Sequence, residues 1–568
     1  MKKYLGAYKK ESILGPLFKL TECLFELMIP LVVAAIIDRG IVGGDRGLIL
    51  RLGLLMVGLG LVGLACSLTA QYYAAKAAVG AATAMRQDLF DKVQSLSYTQ
   101  LDRLGASGLI TRMTSDVQQV QSGINLTLRL FLRSPFVVFG AMVMAFRVDP
   151  KSALVFVAAI PLLALVVFAV MLFTMPMHKR AREMLDKVTG KTRENLSGAR
   201  VVRAFAREEG EIKAFGERNQ ALTGLLMKAG RLTALTGPLT SVIVNAALMA
   251  LLYIGALRVG AGYITQGAVI ALVNYMSQIL IELIKLANLI VTMTRSLACW
   301  GRVRQVLDLP VERGSGKERE PLGEEAVSFE DVGLTYPGAG AAALTDISFR
   351  AYRGMTVGVI GGTGSGKSSL VNLIPGFYPA TRGQVRVLGR AVREWDPEAL
   401  RERIGLVPQR AQLFQGSIRD NLCFGNENAS DGDLLWALEA AQALDFVGKA
   451  GLDHLLEPGG RNLSGGQRQR LTIARALVRR PDILILDDSA SALDYATEAA
   501  LRKSLGQLRA HCTTFIVSQR SASVMHADLI LVLDDGRLAG SGTHEGLMGS
   551  CPLYREIYYS QYPEEAAP

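Results

Sequence analysis

Cysteine and histidine are scarce and scattered in this chain, and that removes several chemistries at the outset. The six cysteines (Cys23, Cys66, Cys299, Cys423, Cys512 and Cys551) form no CxxC pair and no Cys/His cluster. Neither a zinc module nor a disulfide framework is expected, and free thiols in membrane helices or a reducing cytosol are the reading. The five histidines lack metal-ligand spacing as well. No aromatic-basic motif for RNA or DNA accompanies the formal charge of +11, so nucleic acid is excluded as a partner. A small-residue cleavage site after the first apolar run is also missing. The first helix is therefore expected to stay as an anchor.

What the chain has in excess is apolar sequence, half of all residues, concentrated in the first 300 positions. Runs near the twenty residues that cross a bilayer recur at 13–37, 48–75, 128–146, 152–175, 239–257 and 268–294. Between them short connections (38–47, 147–151, 258–267) alternate with long ones (76–127, 176–235). The second long segment is rich in Lys and Arg, from Lys179 to Arg207, and Lys2, Lys3, Lys9 and Lys10 precede the first run. That bias puts both long segments and both termini in the cytoplasm. The long segments keep helical periodicity, with turns expected near 98–107 and 199–210.

Ionisable residues inside the runs carry two readings. Glu22 and Glu26 share a face of the first helix, and Glu282 lies three residues before Lys285. Intramembrane charge points to a pathway for cationic or amphipathic cargo. Alternatively, Glu22 lies near the cytoplasmic end and Glu282–Lys285 is a self-neutralising pair facing protein.

Composition changes after a polar linker at 311–326, which separates a membrane domain at 1–310 from a soluble α/β domain at 327–568. The apolar run Val357-Gly358-Val359-Ile360 leads into Gly361-Gly362-Thr363-Gly364-Ser365-Gly366-Lys367-Ser368-Ser369. This is G-x4-G-K-S between a strand pattern and a helix pattern, the context a P-loop requires. Its glycines let backbone N–H groups cradle phosphates at a helix N-terminus. Lys367 is expected to reach the β- and γ-phosphates and Ser368 to ligate Mg2+. A second apolar run, 483–486, ends in Asp487, which suits a buried parallel strand delivering a carboxylate to the metal.

Val407-Pro408-Gln409, Leu463-Ser464-Gly465-Gly466-Gln467 and Ser491-Ala492-Leu493-Asp494 complete the set. In this order and spacing the motifs resemble those of ATP-binding cassette (ABC) exporters of the half-size type, and the resemblance covers nearly the whole chain. It implies a polytopic α-helical membrane domain of six helices, the type IV exporter fold, fused to an α/β P-loop nucleotide-binding domain. Its cofactors would be ATP and Mg2+. Tyr336 would stack on adenine, and Gln409 would contact Mg2+ and link the site to the membrane domain. Leu463, Ser464, Gly465, Gly466 and Gln467, with Asp494 in the following loop, would meet ATP held mainly by an opposing cassette. A bacterial cytoplasmic (plasma) membrane, contact with membrane lipid and multidrug-type export of a small amphipathic substrate, drug-like or lipid-like, are implied too.

Two positions depart from the family pattern. Glu is expected directly after the Walker B aspartate, and this chain has Asp488; His is expected in the switch, and Ser518-Gln519-Arg520 has Gln519. A carboxylate withdrawn by about 1 Å can cost about 10²-fold in rate. Gln519 cannot relay a proton, although its amide can still bond a phosphate. His526, seven residues on, is expected at the surface. With the LSGGQ string intact, these losses point to a degenerate subunit of a heterodimer whose partner carries Glu and His. A slow homodimer and an ATP-sensing regulatory subunit are the alternatives.

Overall fold

The computed structural model describes residues 1–311 and 320–562, so half of the expected 311–326 linker, 312–319, lies outside the described residues. Two compact units are present. One comprises Met1–Gln94 and Ser107–Leu309; the other comprises Ser95–Ala106 and the chain from Pro310 onward.

In the first unit, six helical segments among the described residues are long and apolar enough to cross a membrane: Lys9–Ile41, Arg46–Gln94, Ala106–Val148, Pro150–Ser197, Glu208–Gly260 and Gln266–Leu307. Each contains one of the runs read from the sequence. Arg46–Gln94 has 49 residues. At 1.5 Å per residue that is about 70 Å, more than twice a hydrocarbon core of about 30 Å. The surplus extends past the bilayer thickness as a helical arm. Small side chains let helices approach closely: Ala70, Ala74, Ala77, Ala78 and Ala81 form a fully buried stripe at three- and four-residue spacing. A Cβ added to Gly15 in the first helix would lie 3.5 Å from the Ala74 nitrogen. Pro30 and Pro161 sit inside helices, joined by Pro16 and Pro176.

The intramembrane charges cancel one another. Lys19 Nζ bonds both Glu22 oxygens, at 2.7 and 2.5 Å. Arg133 donates to Glu282 and to Glu26, each at 2.7 Å. Glu282 also accepts from Ser134 and from Lys285. Two cations thus face two anions in one cluster and one faces one in the other. Glu26 is bound to Arg133 rather than free, which removes the argument for a cationic cargo. Sequence spacing found the Glu282–Lys285 pair, but Arg133 is 107 residues from Glu26 and 149 from Glu282.

The second unit carries the cassette. A four-stranded sheet orders Leu344–Tyr352, Glu325–Leu334, Arg382–Val387 and Arg390–Ala391. A six-stranded sheet runs Arg537–Gly542, Leu529–Asp534, Thr356–Gly361, Thr513–Val517, Ile483–Asp487 and Ile404–Val407. All neighbours in the latter are parallel except the first pair. Its inner strands are buried along most of their length because both faces are covered. The turn expected near 98–107 is a helix, Tyr98–Leu104, that belongs to this unit. Tyr98 stacks on Phe377 with centroids 4.1 Å apart, and Tyr378 donates to Asp102.

Arg133→Ala would leave Glu282, which is 3% exposed, without its strongest partner. The expected loss is about 3–5 kcal/mol, read as a lower unfolding temperature of the detergent-solubilised chain. Arg133→Met combined with Glu282→Gln is expected to cost less than Arg133→Ala alone. An equal or larger loss would show that packing rather than charge pairing is at stake.

Candidate nucleotide site

Strand order brings the motifs together. Thr513–Val517 lies between the P-loop strand and the Walker B strand, with Val517 paired to Val359 on one side and Asp487 on the other. The residues that follow these three strands therefore emerge side by side at their C-terminal ends, where open α/β sheets bind ligands. A cavity of about 270 Å³ opens there, and its walls include Lys367, Ser368, Gln409, Asp487, Asp488 and Gln519. Thr363, Gly364, Gly366 and Ser369 complete its loop side.

The loop needs glycine for stated reasons. Gly364 and Gly366 have φ of +84° and +97°, a region that side chains disfavour. At Gly361 a Cβ would stand 2.2 Å from the Leu533 carbonyl oxygen, so the strand can turn into the loop only without one. Gly366 then caps the helix Lys367–Leu373. The Lys367 ammonium is held by the Gly361 and Gly362 carbonyls at 2.9 and 2.6 Å, with Ser365 Oγ at 3.5 Å. Burial pushes its pKa below the ordinary lysine value. Anionic phosphate in the cradle would offer this ammonium better partners than carbonyl dipoles.

Ser368 Oγ donates to Asp487 Oδ1 at 3.0 Å. Burial raises the Asp487 carboxyl above the usual carboxylate range; the Ser368 bond opposes this and the Asp488 charge reinforces it. A hydroxyl, a carboxylate and the Gln409 amide on one small cavity are hard oxygen donors that fit Mg2+ sharing its shell with phosphate oxygens. Among the described residues there is no His/Cys/Asp/Glu cluster of three, so no all-protein metal cage competes with this arrangement.

Asp488 adopts φ +47°. Asp tolerates that left-handed backbone better than most residues. Its N–H donates to the Val517 carbonyl at 3.0 Å, and its Oδ2 accepts from Gln409 Nε2 at 3.3 Å. Gln519 is exposed, with its side chain making no hydrogen bond among the described residues. His526 is exposed on a turn and does not line the cavity.

Tyr336 joins the site indirectly, through a 3.0 Å bond from its hydroxyl to Ser369, with Tyr378 edge-on to its ring. The signature does not line the cavity. Ser464 caps the helix Gly465–Val478 by accepting from Gln467 N, while the Gln467 side chain returns to Ser464 N. Ser464 and Gly465 are exposed, Gly466 is half-buried, and Leu463 packs on the helical core. Asp494 caps Tyr495–Gly506 through Thr497 N and Oγ1 at 2.8 and 2.9 Å. Reading the motifs missed Ala343 and Val517 on the cavity wall. Neither carries a polar signal; Ala343 is marked only by its carbonyl, 2.8 Å from where a Gly366 Cβ would be.

Fold and site together define a P-loop ATPase cassette on a chain that also holds six membrane-type helices. Residues 12–283 match the ABC transporter transmembrane region and residues 344–491 the ABC transporter family. The chain belongs to the ABC transporter family and has the exporter fold. It is 36% identical to the uncharacterized ABC transporter ATP-binding protein YfiB of Bacillus subtilis (strain 168), over 100% of both chains. An ATP-dependent lipid A-core flippase of Methylococcus capsulatus is 30% identical, with 94% of this chain and 90% of that one covered. A bacterial Atm1-family ABC exporter solved with ATP bound has the same fold. Its TM-score is 0.80 at 22% identity, with 99% of each chain covered.

Because Asp487 holds its proton more tightly than an ordinary carboxyl, Mg2+-dependent ATP affinity is expected to fall with acidification. The fall should begin at a higher pH than for a normal aspartate. Asp487→Asn should lower the affinity and flatten this dependence, measured by equilibrium nucleotide binding from pH 5 to 8. An unchanged pH profile in the variant would refute the assignment.

Proposed function

We propose that the chain is one half of a heterodimeric ABC exporter that moves an amphipathic, lipid-like compound out across the bacterial cytoplasmic membrane. Its Walker motifs form the degenerate ATP site, and its signature completes the hydrolytic site of a partner carrying Glu and His. The membrane domain is 1–310 and the nucleotide-binding domain 327–568, with both termini cytoplasmic. Lys367 and the loop 361–369 bind the phosphates, Ser368, Asp487 and Gln409 hold Mg2+, and Tyr336 seats the adenine.

The observation that carries this reading is that Asp488 and Gln519, the two departures, line one cavity with an otherwise complete binding set. The exposed Ser464 end of the signature helix is not on that cavity, as expected if it serves nucleotide held by another cassette. Mg2+ supplies charge neutralisation on the phosphates when bound. The chain's own groups then divide the remaining work. Gln409 holds the Asp488 carboxylate to one side, and Gln519 offers an amide hydrogen bond but no proton transfer. ATP is thus bound well and cleaved slowly. Differential affinity of closed and open cassettes for ATP biases the transport cycle.

For the cargo, a cavity of about 510 Å³ lies in the membrane unit, with Val167, Val170 and Ile284 on its wall. Lys179, Arg182 and Arg295 line it further along the same two helices. Apolar wall followed by basic groups suits an amphipathic anion, in keeping with the lipid A-core flippase among the relatives. A slow homodimer is the second reading, favoured by Asp488 keeping its carboxylate on the cavity wall.

Purified alone, the chain is expected to bind ATP but to turn it over about 10²-fold more slowly than the variant Asp488→Glu/Gln519→His. A second half-transporter with Glu and His should co-purify from the source cells. Turnover of the unmodified chain equal to that of the variant, with no second subunit, would establish the homodimer instead.

A further inference from the structure

Gln561, the last residue of the helix Pro552–Gln561, holds the backbone of the switch in both directions. Its Nε2 donates to the Gln519 carbonyl at 2.8 Å, and its Oε1 accepts from the Ser521 N–H at 2.8 Å. A carboxamide offers a donor and an acceptor in one plane, and Gln reaches one methylene further than Asn. The Ser521 N–H opens the short helix Ser521–Val524, where no intrahelical acceptor exists for it.

The platform that carries Gln561 is rigid. Tyr554 is fully buried against Val524, Ile530 and Val532, and its hydroxyl meets His544 Nδ1 at 2.8 Å. On the opposite side Arg520 reaches Glu498 and the Ser491 carbonyl and lies over the Tyr495 ring. Ser518 Oγ accepts from Arg520 N–H at 3.0 Å. Of residues 518–521, Gln519 is the one on the cavity wall, and its side chain makes no hydrogen bond among the described residues.

We propose that Gln561 is a positioning residue for the switch: its carboxamide sets the backbone at 519–521 and thereby aims the side chain of residue 519 at the γ-phosphate. The inference rests on the reading of Gln519 as the switch residue. The helix 552–561 then bears on ATP turnover through the backbone at 519–521.

The test uses the full-length chain in lipid nanodiscs with two readouts. Hydrogen exchange at the Ser521 amide is expected to speed up about tenfold in Gln561→Ala and to stay near the original rate in Gln561→Glu, which keeps the acceptor. In the Asp488→Glu/Gln519→His background, both changes are expected to lower kcat about five- to tenfold with KM for ATP within about twofold. Unfolding temperature serves as the control for structural damage. Unchanged exchange in Gln561→Ala, or a rise in KM at constant kcat, would overturn the proposal. If the Asp488→Glu/Gln519→His background itself gains no hydrolysis, the reading of the switch falls, and amide exchange still decides the role of Gln561.

Discussion

The cassette depends on the parallel register of three adjacent strands. Thr356–Gly361, Thr513–Val517 and Ile483–Asp487 run side by side, and their ends release the P-loop, the switch and the Walker B carboxylates at one level of the sheet. A slip of one residue would turn each strand over and send Asp487 to the opposite face. Both faces of these strands are buried, so such a slip is costly and the register is tightly held. From that constraint follows the Ser368–Asp487 bond, and the parallel pairing of Ile404–Val407 on Ile483–Asp487 brings Gln409 to Asp488.

The membrane unit obeys a different economy of charge. Its six long helices each hold an apolar stretch sufficient to cross a bilayer, and several run well beyond that length. Where ionisable groups remain inside, they are paired: Lys19 with Glu22, and Arg133 with Glu26 and Glu282. Isolated charge there is expensive, so the helices that contribute these groups are held in one mutual arrangement. The pairing also shifts attention from the acidic residues to Lys179, Arg182 and Arg295, which lie beside apolar wall in the membrane-unit cavity. The amphipathic anion proposed as cargo would meet its charge complement there.

Much of this was legible in the residues. The apolar runs at 13–37 through 268–294 each became one long helix because length and hydropathy alone decide what can span a bilayer. The P-loop was legible because its glycines answer local demands, a positive φ at Gly364 and Gly366 and a close approach at Gly361. Helix caps were equally local: Ser464 with Gln467 and Asp494 with Thr497 satisfy orphan N–H groups within one turn. The partner of Glu26 was not legible, since Arg133 reaches it only after three helices have packed. Gln561 was equally hidden, because an isolated Gln at the end of an aromatic-rich helix carries no spacing signal.

Sequence by itself determined the kinds of element, the motif chemistry and the two departures at Asp488 and Gln519, because each is written in side-chain identity or short-range periodicity. Tertiary structure alone decided that these two residues share one cavity although 31 positions separate them, that the signature stands apart from it, and that Gln561 binds the backbone at 519–521. The reason is physical. Periodicity and capping act over a turn of helix, whereas strand order and the docking of a remote helix are set by packing across the whole sheet, for which no local pattern exists.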